Sequence, residues 1–247
     1  MKKSAPYALY ASEDRFAWHA RPWSAFCEIS GMPHVIVPIY SLSEWGLGRP
    51  LDAEELIGSR VLSDALLASD DPEFLVLPPF RFTPKQSNGT CFGLDIEDAH
   101  QILEETLCSA ARAGVTRYIL WNTSPFLEEW VDVAARDLRI KHGFQMFCIN
   151  LSGMGLDFHP RRGGSRSGLQ SILTELLGEG PDPVDEGLPE SLDPIADSVV
   201  PVGPILTASD GDAASLMKLV STKMVQLLQE IKAHPDSADR AINRGAS

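Results

Sequence analysis

The sequence predicts a layered α/β/α domain with a mainly parallel sheet, and two observations lead to this fold class. Short apolar runs rich in branched residues recur along the chain, as is typical of buried strands in a parallel sheet. Segments with helical periodicity lie between these runs, so strands and helices alternate from about residue 35 to 153. We expect a single domain over residues 1–247, with right-handed crossovers between its strands.

Three apolar runs are predicted strands: HVIVPIY from His34, FLVLPPF from Phe74 and RYILWN from Arg117. Between the second and third runs, DIEDAHQILEETLCSAARAG predicts a helix, with Asp95 placed to cap its start and Gly114 to end it. Its apolar residues form one stripe at helical spacing: Ala99, Ile102, Leu103, Leu107, Ala110 and Ala111. A second unit follows, with PFLEEWVDVAARDLR as helix and FQMFCINLSG as strand.

Three segments lie outside this alternation. Residues 1–33 form an N-terminal segment that gives no sign of a separate module. Residues 178–204 are acidic and rich in proline, which removes backbone donors, so they predict an extended surface loop. Residues 213–233 predict a C-terminal helix whose apolar face either covers the same core or contacts a neighbouring subunit.

The charge of the chain limits its partners. The formal net charge of −13 argues against a nucleic-acid backbone or an anionic membrane as partner, because both require a basic surface. The two lysines near the start are not followed by an apolar run long enough for a signal peptide, and no stretch reaches transmembrane length. We therefore expect a cytoplasmic protein.

The four cysteines, Cys27, Cys91, Cys108 and Cys148, lie far apart and lack the C-x-x-C spacing of a metal site or redox disulfide. We expect them to pack as small hydrophobic residues. Cys91 lies on a predicted loop, which leaves a nucleophilic role open, but no histidine is near it in the sequence.

The order of the segments resembles the creatininase family of amidohydrolases. The resemblance is carried by VIVPIYSLSEWGLGRPLD, LVLPPFRFTPKQSNGT with the helix after it, GVTRYILWN and PVGPILTASDGDAASLMKLV, over about residues 34 to 232. It implies a layered α/β fold and a homo-oligomeric assembly. It also implies a pair of zinc or manganese ions, held by carboxylates and imidazoles, whose activated water attacks an amide carbon.

The first loop of that family reads roughly V-x-P-x-G-S-x-E-Q-H-G-x-H-L-P-x-x-T-D, and its glutamate, histidine and aspartate bind the metals. An ungapped match aligns Gly46, Pro50 and Leu51 with the loop framework. The three metal positions then hold Ser43, Trp45 and Glu54, of which only Glu54 could bind a cation. A shift of one residue would bring Glu44 to the glutamate position but would lose the other matches.

Further ligands of the family are also replaced. The family motif N-G-H-x-x-N corresponds to NTSPF, which keeps Asn122 but has Ser124 in place of the histidine. Gln86 stands where a pocket histidine is common, and His159 lies near a motif whose glutamate is absent. The resemblance therefore implies a creatininase fold without its metal centre, so no metal cofactor is expected.

Several roles stay open at this point. Glu44 and Glu54 either form an acid pair for general acid–base chemistry, or Glu44 is solvated and Glu54 begins a helix. Trp45 and Trp121 either line a pocket for a small molecule or fill the volume that metals and water would occupy. Arg162 lies in an arginine-rich and glycine-rich segment that either binds a carboxylate or phosphate or is a solvated loop.

Our leading interpretation is a non-catalytic or ligand-binding creatininase-like protein. As a subunit, such a protein would pair with an active enzyme. The alternative is an amidohydrolase acting on a cyclic amide or another small C–N substrate, with a rearranged site built from Glu44, Glu54, His159 and the arginines. A third interpretation is an architectural subunit of a homo- or hetero-oligomer that uses the apolar face of the last helix. The sequence names no substrate or ligand.

Overall fold

The computed structural model describes residues 16–20, 33–43, 50–84, 93–159, 166–177 and 213–235. The strands are β1 (His34–Tyr40), β2 (Phe74–Val76), β3 (Phe80–Arg81), β4 (Thr83–Pro84), β5 (Gly93–Leu94), β6 (Arg117–Asn122) and β7 (Gln145–Asn150). The helices are α1 (Ala53–Ser69), α2 (Ile96–Ala111), α3 (Glu128–His142), α4 (Arg166–Leu177) and α5 (Ala213–Ala233). Two 3-10 turns lie at Trp18–Ala20 and Ser152–Met154.

The central sheet is parallel, with strand order β2-β1-β6-β7 and with β3 pairing further along β1. The strand β1 lies inside the sheet, where His34 pairs with Phe74 on one side and Arg117 on the other. A separate parallel pair is formed by β4 and β5. The predicted parallel sheet is therefore confirmed.

Helices cover both faces of this sheet. Ile36 and Ile119 point to one face and pack with α1, α4 and α5. Val35 and Leu120 point to the other face and pack with α2 and α3. Because successive side chains of a strand alternate between faces, these continuous apolar strands are buried on both sides. The result is the three-layer α/β/α arrangement that the sequence predicts.

The helix α2 begins directly after Asp95, as predicted, and ends at Ala111, three residues before Gly114. Asp95 occupies the N-cap position with extended backbone angles, and Gly114 follows the helix with φ of 89°. The buried face of the helix contains fewer residues than the predicted apolar stripe. Its buried residues are Ala99, Leu103, Leu107 and Ala110. Ile102 belongs to the same apolar stripe but is 45% exposed.

The last helix, α5, packs on the core of its own chain. Its buried residues are Met217, Val220, Ser221, Met224, Leu228 and Ile231, and the apolar ones belong to the cluster that α1 and α4 also enter. The sequence left open whether this face covers the same core or contacts a neighbouring subunit, and the structure supports the same core. The apolar face of α5 is therefore not free to contact a neighbouring subunit.

Some sequence expectations lie outside the described residues, namely the loop at 178–204 and most of the N-terminal segment. The helix α4 was not predicted from the sequence, because glycines and serines dominate the segment in which it begins. In the part of the chain that the structure describes, no helix has the length and hydropathy needed to cross a membrane.

Gly58 in α1 lies against the sheet more closely than a side chain permits. A Cβ atom at this position would lie 2.5 Å from Cγ2 of Thr123 and 2.7 Å from Cε1 of Tyr40. We expect Gly58→Ala to lower the free energy of unfolding by about 1–3 kcal/mol, because a packed core resists added volume. Urea unfolding measures the change.

Gly153→Ala is the matched control, because a Cβ atom at Gly153 meets nothing within 4 Å. This substitution should change stability by less than about 0.5 kcal/mol. Equal effects of the two substitutions would contradict the close packing of α1 on the sheet.

Candidate functional site

Polar side chains gather where β1 and β6 end, beside the first turn of α1. Ser41 and Ser43 follow β1, and Thr123 and Ser124 follow β6. Because β1 and β6 are parallel neighbours, both segments leave the sheet at the same edge. This carboxyl edge of the strands is where open α/β sheets bind ligands.

Four side chains form a buried hydrogen-bond network at this edge. The Ser41 hydroxyl donates to Oε2 of Glu54 at 2.7 Å, and its oxygen lies 2.5 Å from the Ser43 hydroxyl. The Ser124 hydroxyl donates to the Ser41 hydroxyl at 3.2 Å. A hydroxyl has one proton, so Ser43 must donate to Ser41 because Ser41 donates to the carboxylate. In this serine–glutamate network, Ser43 and Ser124 thus donate to Ser41, which in turn donates to Glu54.

Glu54 is 2% exposed and lies in the first turn of α1. Its Oε2 also accepts the backbone N–H of Ser41 at 3.2 Å, and its carbonyl accepts the Thr123 hydroxyl at 3.0 Å. A carboxylate in the first helical turn is further stabilised by the helix dipole. These contacts compensate the cost of burying a charge. Glu54 lies at the start of the helix, as one alternative predicted, and its side chain is buried.

Hydrogen bonds from Leu42 and from Ser43 hold the segment after β1 in place. The Thr83 hydroxyl accepts the N–H of Leu42 at 3.0 Å and donates to the Leu42 carbonyl at 2.9 Å. The N–H of Ser43 donates to the carbonyl of Leu51 at 3.2 Å. The two ends of the loop that begins after Ser43 are therefore joined, which fixes the Ser43 hydroxyl next to Ser41.

Asn122 orients Ser124. Its Oδ1 accepts the N–H of Ser124 at 3.0 Å, and its Nδ2 donates to the Ser124 carbonyl at 2.9 Å. The same Nδ2 donates to Oδ1 of Asn150 at 2.9 Å, which connects the ends of β6 and β7. Asn122 is buried, so its amide serves the turn that positions Ser124.

Trp121 lies in the hydrophobic core on the α1 side of the sheet. Its side chain has 0% exposure, and the indole N–H donates to the carbonyl of Gly58 at 3.1 Å. This placement favours the core-filling alternative for Trp121 over contact with a ligand.

His159 lies beside the segment that follows β6. Its ring centroid is 5.5 Å from that of Phe126, and its backbone N–H donates to Oδ1 of Asp157 at 2.9 Å. The structure therefore places His159 near the chain that carries Ser124. The other proposed site residues, Glu44, Trp45, Gln86 and Arg162, lie outside the described residues, as does Cys91. Their roles stay predictions.

Ser41, which is the centre of the network, was not predicted from the sequence. Its position two residues before Ser43, directly after a predicted strand, was the available signal. The cluster of Glu104, Cys108 and His142, whose side-chain types can bind metals, was not predicted from the sequence either. The two α2 residues are four apart and share a helix face, but no sequence pattern connects them with His142.

Comparison with known proteins identifies the fold. No family model and no curated protein matches the sequence. A mutant creatininase complexed with creatine has 18% identity and a TM-score of 0.61, over 87% of this chain and 98% of that chain. A manganese creatininase gives the same four values. A suggested creatinine amidohydrolase from Bacteroides fragilis has 15% identity and a TM-score of 0.64, over 90% of this chain and 98% of that chain. The chain has a creatininase-like fold.

Proposed function

We propose that this chain is a creatininase-like protein that does not hold a pair of metal ions at the carboxyl edge of the sheet, and that it acts as a non-catalytic or ligand-binding member. One observation carries the proposal. Ser43, Glu54 and Ser124, which the resemblance aligns with metal ligands, belong to one hydrogen-bond network around Ser41. Hydroxyls thus occupy positions where the family uses a carboxylate and an imidazole.

The chemistry of this donor set supports the proposal. Two close divalent cations require several carboxylate and imidazole ligands to balance their charge. The serine–glutamate network supplies one carboxylate, and its Oε2 already accepts two hydrogen bonds from Ser41. Neutral serine hydroxyls are poor substitutes for anionic ligands. The residues described at this edge therefore do not fit a dinuclear centre.

The same network suits a small polar ligand. The carboxylate and the three hydroxyls can exchange their mutual hydrogen bonds for bonds to a ligand with donor groups. Such a ligand must compensate the buried charge of Glu54, so a cation or an amide N–H is the expected partner.

An amidohydrolase with a rearranged site is the second candidate. The 2.7 Å contact between the Ser41 hydroxyl and Glu54 is the geometry of a nucleophile and a general base, and His159 lies near the segment after β6. This candidate acts on a cyclic amide or another small C–N substrate without a metal.

Hydrolysis assays on lactams and amides separate these candidates. Under the proposal, neither wild type nor Glu54→Gln hydrolyses any substrate, with or without a chelator. Hydrolysis that chelation abolishes would contradict the proposal, because it indicates a metal enzyme. Hydrolysis that survives chelation and is lost in Glu54→Gln would favour the second candidate. Glu129→Gln, on the exposed surface of α3, is the matched control.

We also propose that the chain assembles with copies of itself or pairs with an active enzyme. The resemblance supports this proposal, because it implies an oligomer. The apolar face of α5 is buried in the core of its own chain, so we expect another surface to form the contact between subunits. The native mass, measured with and without co-expressed neighbouring genes, tests it. A stable monomer in both preparations would contradict assembly.

A further inference from the structure

Three side chains whose types can bind metals lie together, away from the serine–glutamate network. Glu104 and Cys108 are on α2, and His142 is the last residue of α3. Both helices pack on the same face of the sheet, and α3 ends just before β7 begins. His142 is therefore near the amino edge of the sheet, opposite the edge where the network lies.

The ligand atoms of this group are close together. One oxygen of Glu104, Sγ of Cys108 and one ring nitrogen of His142 all lie within 4.8 Å of one another. The distance from Sγ to Nε2 of His142 is 3.7 Å, and Nε2 is 2.7 Å from Oε1 of Glu104. Tetrahedral zinc, with bonds of about 2.0–2.3 Å, separates such ligand atoms by roughly 3.3–3.8 Å. For a metal to enter, the contact between Nε2 of His142 and Oε1 of Glu104 must open, and the neutral imidazole then carries its proton on Nδ1.

Neighbouring side chains hold two of these groups in place. The ring of His142 stacks on that of Phe144 at 5.1 Å between centroids, with 23° between the planes. The Lys141 ammonium contacts both oxygens of Glu104, Oε1 at 2.6 Å and Oε2 at 2.8 Å, so it must give up Oε1 when that oxygen binds a metal and can keep Oε2. Hydrogen bonds to a ligand carboxylate commonly orient it at metal sites.

A catalytic cysteine–histidine pair is the other chemistry that these residue types permit. Burial, and then the charge of Glu104, raise the pKa of the Cys108 thiol. An activated nucleophile requires a shift in the opposite direction. The raised pKa therefore argues against a nucleophilic role of Cys108.

We propose that Glu104, Cys108 and His142 bind one zinc ion, which joins α2 to the end of α3. The three ligands are a carboxylate oxygen, a thiolate sulfur and an imidazole nitrogen, a mixed set typical of zinc. The fourth position is filled by water. The thiol proton is released to solvent on binding, because the thiolate is the ligand.

Cobalt titration of the full-length, metal-free protein tests this site, because Co²⁺ replaces zinc and its bond to thiolate gives a near-ultraviolet charge-transfer band. We expect one Co²⁺ per chain, with the band present in wild type and absent in Cys108→Ser. His142→Gln and Glu104→Gln should weaken binding at least about tenfold. Zinc should raise the melting temperature of wild type but not that of Cys108→Ser.

Two variants serve as controls. Cys148→Ser removes a different thiol, and Glu97→Gln removes a charge from the first turn of the same helix. Both should bind cobalt as wild type does. The proposal is overturned if wild type shows no band, if the band persists in Cys108→Ser, or if His142→Gln binds with unchanged affinity. Circular dichroism of each variant checks that it is folded.

Discussion

Replacing Trp121 with alanine is expected to lower the free energy of unfolding by about 3–5 kcal/mol, the range for truncating a buried tryptophan. The side chain is fully buried on β6, opposite Pro38 of β1, and is among the largest such side chains described. Its removal leaves a cavity between the sheet and α1 and breaks the hydrogen bond to the carbonyl of Gly58. Chemical denaturation measures the loss.

Trp121 and Trp130 provide a matched comparison. The indole N–H of Trp121 donates to Gly58, whereas that of Trp130 is buried with no hydrogen-bond partner among the described residues. Trp121→Phe should therefore destabilise the protein by more than Trp130→Phe, since only the first change breaks a hydrogen bond. A loss below about 1 kcal/mol for Trp121→Ala would contradict its place in the core and would favour the pocket-lining role.

Acidification from pH 6.5 to 4 is expected to cost about 3 kcal/mol of stability through His34. Burial, and then the positive charge of Arg117, lower the pKa of His34 from 6.5 to about 4. Glu73 and Asp71 act in the opposite direction, and Lys232 acts with Arg117. Arginine can only donate, so the 2.7 Å contact between Arg117 and Nε2 of His34 requires that nitrogen to be unprotonated.

The direction of this dependence follows from the two pKa values. In the unfolded chain His34 takes up its proton near pH 6.5, whereas in the folded chain it does so near pH 4. The unfolded state therefore binds more protons between these values, and stability falls as the pH falls. Above pH 6.5 the His34 contribution is constant.

His34→Gln isolates this contribution. The variant keeps an acceptor for Arg117 but does not titrate, and all other titrating groups are present in both proteins. The difference in unfolding free energy between wild type and His34→Gln should change by about 3 kcal/mol between pH 6.5 and 4. A difference that is independent of pH would contradict the lowered pKa.

The sequence predicts the layers of the fold well, because a strand buried on both faces must be apolar throughout. The runs from His34, Phe74 and Arg117 all form strands of the sheet. The short strands β3, β4 and β5 were not predicted, since two residues carry no periodic signal. Their existence depends on pairing with distant segments, as when Tyr40 pairs with Arg81.

The candidate site was predicted only in part for a similar reason. Ser43, Glu54 and Ser124 were selected because a resemblance gave them positions, and the structure brings them together around Ser41. The central role of Ser41 depends on a contact with Glu54 across thirteen positions of the chain, which no local pattern reveals. Likewise, Cys108 meets His142 only because α2 and α3 pack on one face.

The metal content of the carboxyl edge tests the central claim most directly. The measurement is made on purified Cys108→Ser protein that has not met a chelator, because this variant lacks the proposed zinc site on α2. Elemental analysis after exhaustive dialysis should find zinc and manganese at the level of the buffer. A metal content close to two ions per chain would contradict the claim that the serine–glutamate network has replaced a dinuclear metal centre, provided that the metal is lost when Glu54→Gln is added.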